Sequence, residues 1–152
     1  MTDPDPVVCR AMGSSPDYSH TLAVRYAECD QQGVVFNAHY QALCDCVMDQ
    51  WLRDRMGTAW CRRVVIEGGG FTMVVASEFK YISPAKFLDD LTISGEITRW
   101  GTTSFEVLYV GEVERRRVFE GKLTYVAVDA DGRPTPVPAE FKRQMTSTRS
   151  RL

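Results

Sequence analysis

One apolar stripe decides most of what this chain can become. From Asn37 or Ala38 to Met56, the residues Tyr40, Leu43, Cys44, Val47, Met48, Trp51 and Leu52 recur at helical spacing. Gln41, Asp45, Asp49 and Arg53 follow the opposite side in steps of four. The pattern predicts one long helix, about 28 Å at 1.5 Å per residue. Its apolar face is too broad to be left to water, so a sheet or a partner has to cover it. Asn37 is expected to cap the N-terminus, and Gly57 to end the helix.

Strand patterns on both sides supply the cover. Leu22, Val24 and Tyr26 alternate with Ala23, Arg25 and Ala27, which predicts a first strand over Thr21–Ala27. After Gly68-Gly69-Gly70, strands are expected over Phe71–Ile82, Leu91–Trp100, Thr103–Val113 and Val118–Asp129. Gly101, Arg115-Arg116-Arg117 and Asp131-Gly132 mark turns. Pro138–Lys142 is expected to open a short helix. One helix followed by hairpin-linked strands implies an α+β domain, with a largely antiparallel sheet and the helix across its face.

At 152 residues the chain can hold one domain with a real core. The expected division is a mobile tail over 1–19, a single domain over 20–143 and a frayed end over 144–152. A net charge of −2 argues against a nucleic-acid surface. The start, Met1-Thr2-Asp3-Pro4-Asp5-Pro6, lacks the basic and apolar pattern of a signal peptide, and no run is apolar enough to span a bilayer. Five cysteines at irregular spacing make a poor disulfide framework, so a cytoplasmic location is expected. With two histidines and no zinc spacing among the cysteines, no metal is expected.

The chemistry concentrates between Arg25 and Tyr40. Asp30 ends the first strand pattern, Gly33 sits in the tight loop after it, and the helix opens near Asn37. A carboxylate facing a helix N-terminus can attack a carbonyl, or activate water to do so. The unpaired N–H groups of the first turn then hold the oxyanion. On local sequence alone, Asp30 equally suits an Asx-turn and Asn37 a plain N-cap.

The run Asp30-x-x-Gly33-Val34-Val35-Phe36-x-x-x-Tyr40 resembles the hotdog-fold acyl-CoA thioesterases, in the branch of 4-hydroxybenzoyl-CoA thioesterase and the bacterial YbgC-like enzymes. Phe79-x-Tyr81-x-x-Pro84-Ala85 and the Asp90-Leu91 strand entry match less specifically, and the similarity covers about Leu22 to Phe141. The resemblance implies a curved antiparallel sheet wrapped around the long helix, and a homodimer or homotetramer with its active site at the dimer interface. It implies an acyl-CoA or acyl-carrier-protein thioester as substrate and no cofactor. Asp30 takes the position of the catalytic carboxylate, and the backbone N–H of Asn37 that of the oxyanion donor. Gly33, His39, Tyr40 and Asp45 fall among the substrate-binding positions. Asp45 matches a helix carboxylate near an aryl hydroxyl, but relatives with other substrates often carry Glu there, so it does not specify the acyl group.

Two other functions compete. A hotdog dehydratase or hydratase would aim His39 at the substrate with a partner carboxylate. A non-catalytic module would bind the CoA ester without turnover. Asp49 is expected to pair with Arg53 on a solvated helix face. Arg62, Arg63, Lys80, Lys86 and Arg115–Arg117 are candidates for the CoA phosphates, unranked among themselves. Gly68-Gly69-Gly70 lacks the Gly-Lys-Ser/Thr of a P-loop and reads as a flexible loop.

Overall fold

A computed structural model describes residues 15–146; most of the expected tail and frayed end lie outside the described residues. The core is five strands and one long helix. Strand β1 is Tyr18–Ala23 and helix α1 is His39–Met56. A short helix α2, Thr58–Cys61, runs into a wider π-type turn at Arg62–Glu67. Strands β2 (Thr72–Tyr81), β3 (Asp90–Trp100), β4 (Ser104–Val113) and β5 (Arg116–Ala127) follow, then helix α3 (Ala139–Thr146). The sheet order is β1-β3-β4-β5-β2, and every pairing is antiparallel.

The stripe on α1 does what its spacing predicts. Tyr40, Leu43, Cys44, Val47, Met48 and Trp51 are buried, while Asp45, Asp49 and Arg53 stay exposed. The helix faces alternating inward residues of the sheet: Leu91 and Ile93 on β3, Phe105, Val107 and Tyr109 on β4, Leu123 and Tyr125 on β5. The helix and sheet approach closely at Gly95, where a Cβ would lie 2.7 Å from the Trp51 ring. This is the expected hotdog, a sheet curled around one helix. Gly57 ends α1 as expected, at φ 88°, with its N–H on the Arg53 carbonyl.

Several local expectations are corrected. The first strand starts earlier and ends sooner than Thr21–Ala27. Tyr18 pairs with Gly95, and past Ala23 the chain leaves the sheet for a 3-10 turn at Tyr26–Glu28. Tyr26 is therefore 83% exposed instead of sharing the face of Leu22 and Val24. Strand β1 begins at Tyr18, and α3 extends to Thr146 with Met145 buried. The β4–β5 hairpin turns at Glu114 and Arg115, both at positive φ, and Arg116 and Arg117 already belong to β5. The expected Asp49–Arg53 pair is not among the ion pairs of the described residues. None of the described helices is long and apolar enough to cross a membrane.

Helix α3 closes one end of the core. Phe141 is fully buried, with ring centroids of Phe71, Phe105, Trp100 and Trp60 at 5.0, 5.3, 5.8 and 6.2 Å. One side chain thereby joins α3 to the segment after α1 and to the sheet.

Candidate active site

The segment from Val24 to Tyr40 folds as two tight turns laid against a second loop. Cys29 and Val35 form an antiparallel bridge, so the residues between them make a closed turn. Within it the Asp30 N–H donates to the Val34 carbonyl at 2.9 Å, and the Gly33 N–H to the Asp30 carbonyl at 3.0 Å. Gly33 sits at φ 74°, a conformation costly for residues with a Cβ. The Asp30 Oδ1 accepts the Gln32 N–H at 2.8 Å, which is the Asx-turn its sequence context allowed. Its Oδ2 has no hydrogen bond among the described residues, and the side chain is exposed in the single chain.

The helix does not start as expected. His39 is its first residue, Ala38 holds the cap position, and no side chain caps it. Asn37 is not the N-cap, because a turn precedes the helix. The His39 N–H donates to the Phe36 carbonyl at 2.9 Å, and the Tyr40 N–H to Asn37 at 3.4 Å. The Asn37 and Ala38 N–H groups then donate to nothing among the described residues. Two free donors stand at the positive end of an 18-residue helix.

Glu28 ties the two parts together, and nothing in the sequence reading singled it out. Its buried carboxylate accepts the Arg25 N–H at 2.7 Å and the Arg25 guanidinium through Nε at 2.9 Å. The Arg25 bond holds this carboxyl below its ordinary value, against the opposing effect of its own burial. Its carbonyl accepts the Phe36 N–H at 2.9 Å and His39 Nδ1–H at 2.9 Å. The available signal was a lone Glu two residues before Asp30, at the third position of a capping box opened by an arginine.

A second loop, residues 83–89, completes the support. Val34 bridges to Lys86, the Val35 N–H donates to Ala85, and the Phe87 N–H donates to Gly33. Tyr40 is buried beneath it, its ring 4.8 Å from Phe119 and 5.8 Å from Tyr81. The Tyr40 hydroxyl accepts the Ala85 N–H at 3.4 Å, and burial raises its pKa. Arg116 pins the same loop by donating to the Pro84 carbonyl at 2.9 Å and to Ser83 Oγ. Arg117 is held by Glu120 and Glu112.

Asp30, Gly33, Asn37, His39 and Tyr40 thus belong to one bonded unit. Asp45 does not; it lies two turns along α1 with no bond to that unit. Loss of hydration against the helix raises its carboxyl above the ordinary value, and Asp49 adds to the shift. Farther along, α1 and the segment after it leave a cavity of about 240 Å³ between Asp49, Leu52, Arg53, Cys61, Val65 and Ile66.

This arrangement is a carboxylate turn beside an uncapped helix start, set in a sheet curled around that helix. The sequence model of the thioesterase-like superfamily matches residues 24–145, the whole of this unit included. The chain belongs to the thioesterase-like superfamily. The hotdog and the class of enzyme, a thioester hydrolase, hold at that level. No curated protein matches the chain. Among solved structures, it is similar to a 1,4-dihydroxy-2-naphthoyl-CoA thioesterase from Synechocystis, at TM-score 0.76 and 16% identity over 86% of this chain and 96% of that one. It is similar to a Thermus thermophilus thioesterase in complex with coenzyme A and zinc, at TM-score 0.74 and 18% identity over 88% and 100%. A probable thioesterase from Bartonella henselae gives TM-score 0.72 and 23% identity over 80% and 98%. At these identities the likeness establishes the fold of this thioesterase-like chain.

Proposed function

We propose that the chain is an acyl-CoA thioesterase that hydrolyses its substrate to a free acid and CoA. The observation that carries this reading is the pair of unused amides at Asn37 and Ala38, bonded through Glu28 to the turn that presents Asp30. In the proposed mechanism the thioester carbonyl oxygen sits at those amides, which strengthen their hold as the oxygen gains charge. Asp30 Oδ2 attacks the carbonyl carbon, or takes a proton from the water that does. In the first route the C–S bond breaks and the CoA thiolate leaves. Water then hydrolyses the Asp30 mixed anhydride, which frees the acid, restores Asp30 and gives the thiolate its proton. In the second the C–S bond breaks and the thiolate leaves with the proton that Asp30 took. His39 Nδ1–H donates to the Glu28 carbonyl, which ties the ring to the scaffold and leaves Nε2 as the nitrogen a dehydratase would have to use. Lys86, on the loop bridged to Val34, is the cation we assign to a CoA phosphate. Four free cysteines among the described residues fit a reducing cytoplasm.

The active form in this proposal is a homodimer. Strand β2 is an outer strand of the sheet, and Met73 and Val75 on it are 54% and 60% exposed. An exposed edge with apolar side chains is a template for pairing with another strand, here the same strand of a second copy. Val75→Lys is expected to shift the sedimenting species from two chains to one and to lower activity with it. A monomeric wild-type protein of full activity would remove the dimer from the proposal. Release of free thiol from a panel of acyl-CoAs tests the activity itself.

A further inference from the structure

We infer that Glu28 is a positioning residue of this hydrolase, holding the Asp30 turn and the start of α1 in one fixed relation, with Arg25 as its clamp. The inference rests on the thioesterase reading above. Glu28 bonds in two directions at once. Its side chain, 9% exposed, is fixed to the backbone and guanidinium of Arg25 on the chain before the turn. Its carbonyl is fixed to Phe36 and His39, the residues on either side of the unused Asn37 and Ala38 amides.

Asp30 lies inside the span that these bonds close. Between Glu28 and Phe36 the chain is held by the Cys29–Val35 bridge and the turn bonds of Asp30, which shape the turn. The bonds from Glu28 set where that turn stands relative to the helix. A carboxylate suits this position because it accepts a backbone N–H and a guanidinium together, each more strongly than a neutral oxygen would. Arg25, 74% exposed, is the outer jaw. Arg25, His39 and the Cys29 thiol are titratable groups that face Glu28. Catalysis by held groups is sensitive to placement, and a shift of about 1 Å can cost about 100-fold in rate.

The test uses Glu28→Gln and Arg25→Met, each alone and combined with Asp30→Asn, assayed by thiol release from the acyl-CoA that the wild type hydrolyses best. Glu28→Gln is expected to lower kcat by about 10- to 100-fold while KM stays within about twofold. Added to Asp30→Asn, it is expected to change the residual rate by less than about twofold, since nothing is left to position. A group that merely stabilises the fold would not give that non-additive pattern. Wild-type kcat in Glu28→Gln, or a loss that multiplies with that of Asp30→Asn, overturns the inference. If Glu28→Gln fails to fold, Arg25→Met decides on the same criteria, because its side chain lies mostly in solvent. An inactive Asp30→Asn beside a fully active Glu28→Gln removes this inference alone. An Asp30→Asn enzyme of wild-type rate removes the catalytic reading and the inference with it.

Discussion

Asp30→Asn is expected to lower kcat by about 100- to 10,000-fold, the range for loss of a positioned base or nucleophile. The substitution is chosen for what it keeps. The Asx-turn needs one side-chain oxygen to accept the Gln32 N–H, and an asparagine amide supplies one. The Asp30 N–H and carbonyl, which bond Val34 and Gly33, are main-chain groups that the change leaves alone. Only the negative charge and the free Oδ2 are lost. The variant should therefore unfold within about 0.5 kcal/mol of wild type, the usual range for an exposed site. Steady-state thiol release beside a denaturant titration separates the two effects. Asp30→Ala would confuse them, because it removes the turn acceptor along with the charge.

Phe141→Ala is expected to cost about 3–5 kcal/mol of folding stability. The ring is fully buried and packs on four other aromatic rings, so its removal leaves a cavity that stiff neighbours cannot easily fill. A thermal midpoint lower by about 10 °C is expected for a domain of this size. The effect should be on folding alone, since the ring contacts of Phe141 are with Phe71, Phe105, Trp100 and Trp60, away from the Asp30 turn. Thermal unfolding measures it, and a midpoint within about 2 °C of wild type would show that α3 does not close the core as described.

The long-range order of this fold is legible because it rests on side-chain periodicity. The stripe from Tyr40 to Trp51 and the alternation of Leu91 with Ile93 or Phe105 with Val107 leave few ways to bury both faces except against each other. What the sequence obscures are features that backbone bonds decide. The β4–β5 turn uses Glu114 and Arg115 in a left-handed conformation with no Gly or Asn to announce it. The start of α1 is set by the Phe36 carbonyl and not by the Asn37 side chain. The helical segment Thr58–Glu67 carries too few residues for a periodicity to emerge.

The candidate site divides in the same way. Asp30 and Gly33 stand out because turn chemistry is local, an acceptor side chain followed by a residue that tolerates positive φ. Glu28 does not, because its carbonyl acts on residues eight and eleven positions away. The support from Ala85, Lys86 and Phe87 comes from a loop some fifty residues downstream, where no sequence spacing could reveal it. Asp45 carries a familiar helix position, yet its charge interacts with Asp49 along the helix and with Tyr109 and Tyr125 of the sheet, all outside the Asp30 turn.

The most direct test of the account is thiol release at pH 7 from a panel of aryl, short-chain and long-chain acyl-CoAs, with wild type and Asp30→Asn run side by side. At least one ester should be hydrolysed by the wild type with kcat/KM of about 10⁴ M⁻¹ s⁻¹ or more, and by Asp30→Asn at a rate at least about 100-fold lower. A folded wild type that releases no thiol from any of them, or an Asp30→Asn protein that matches it, would contradict the account.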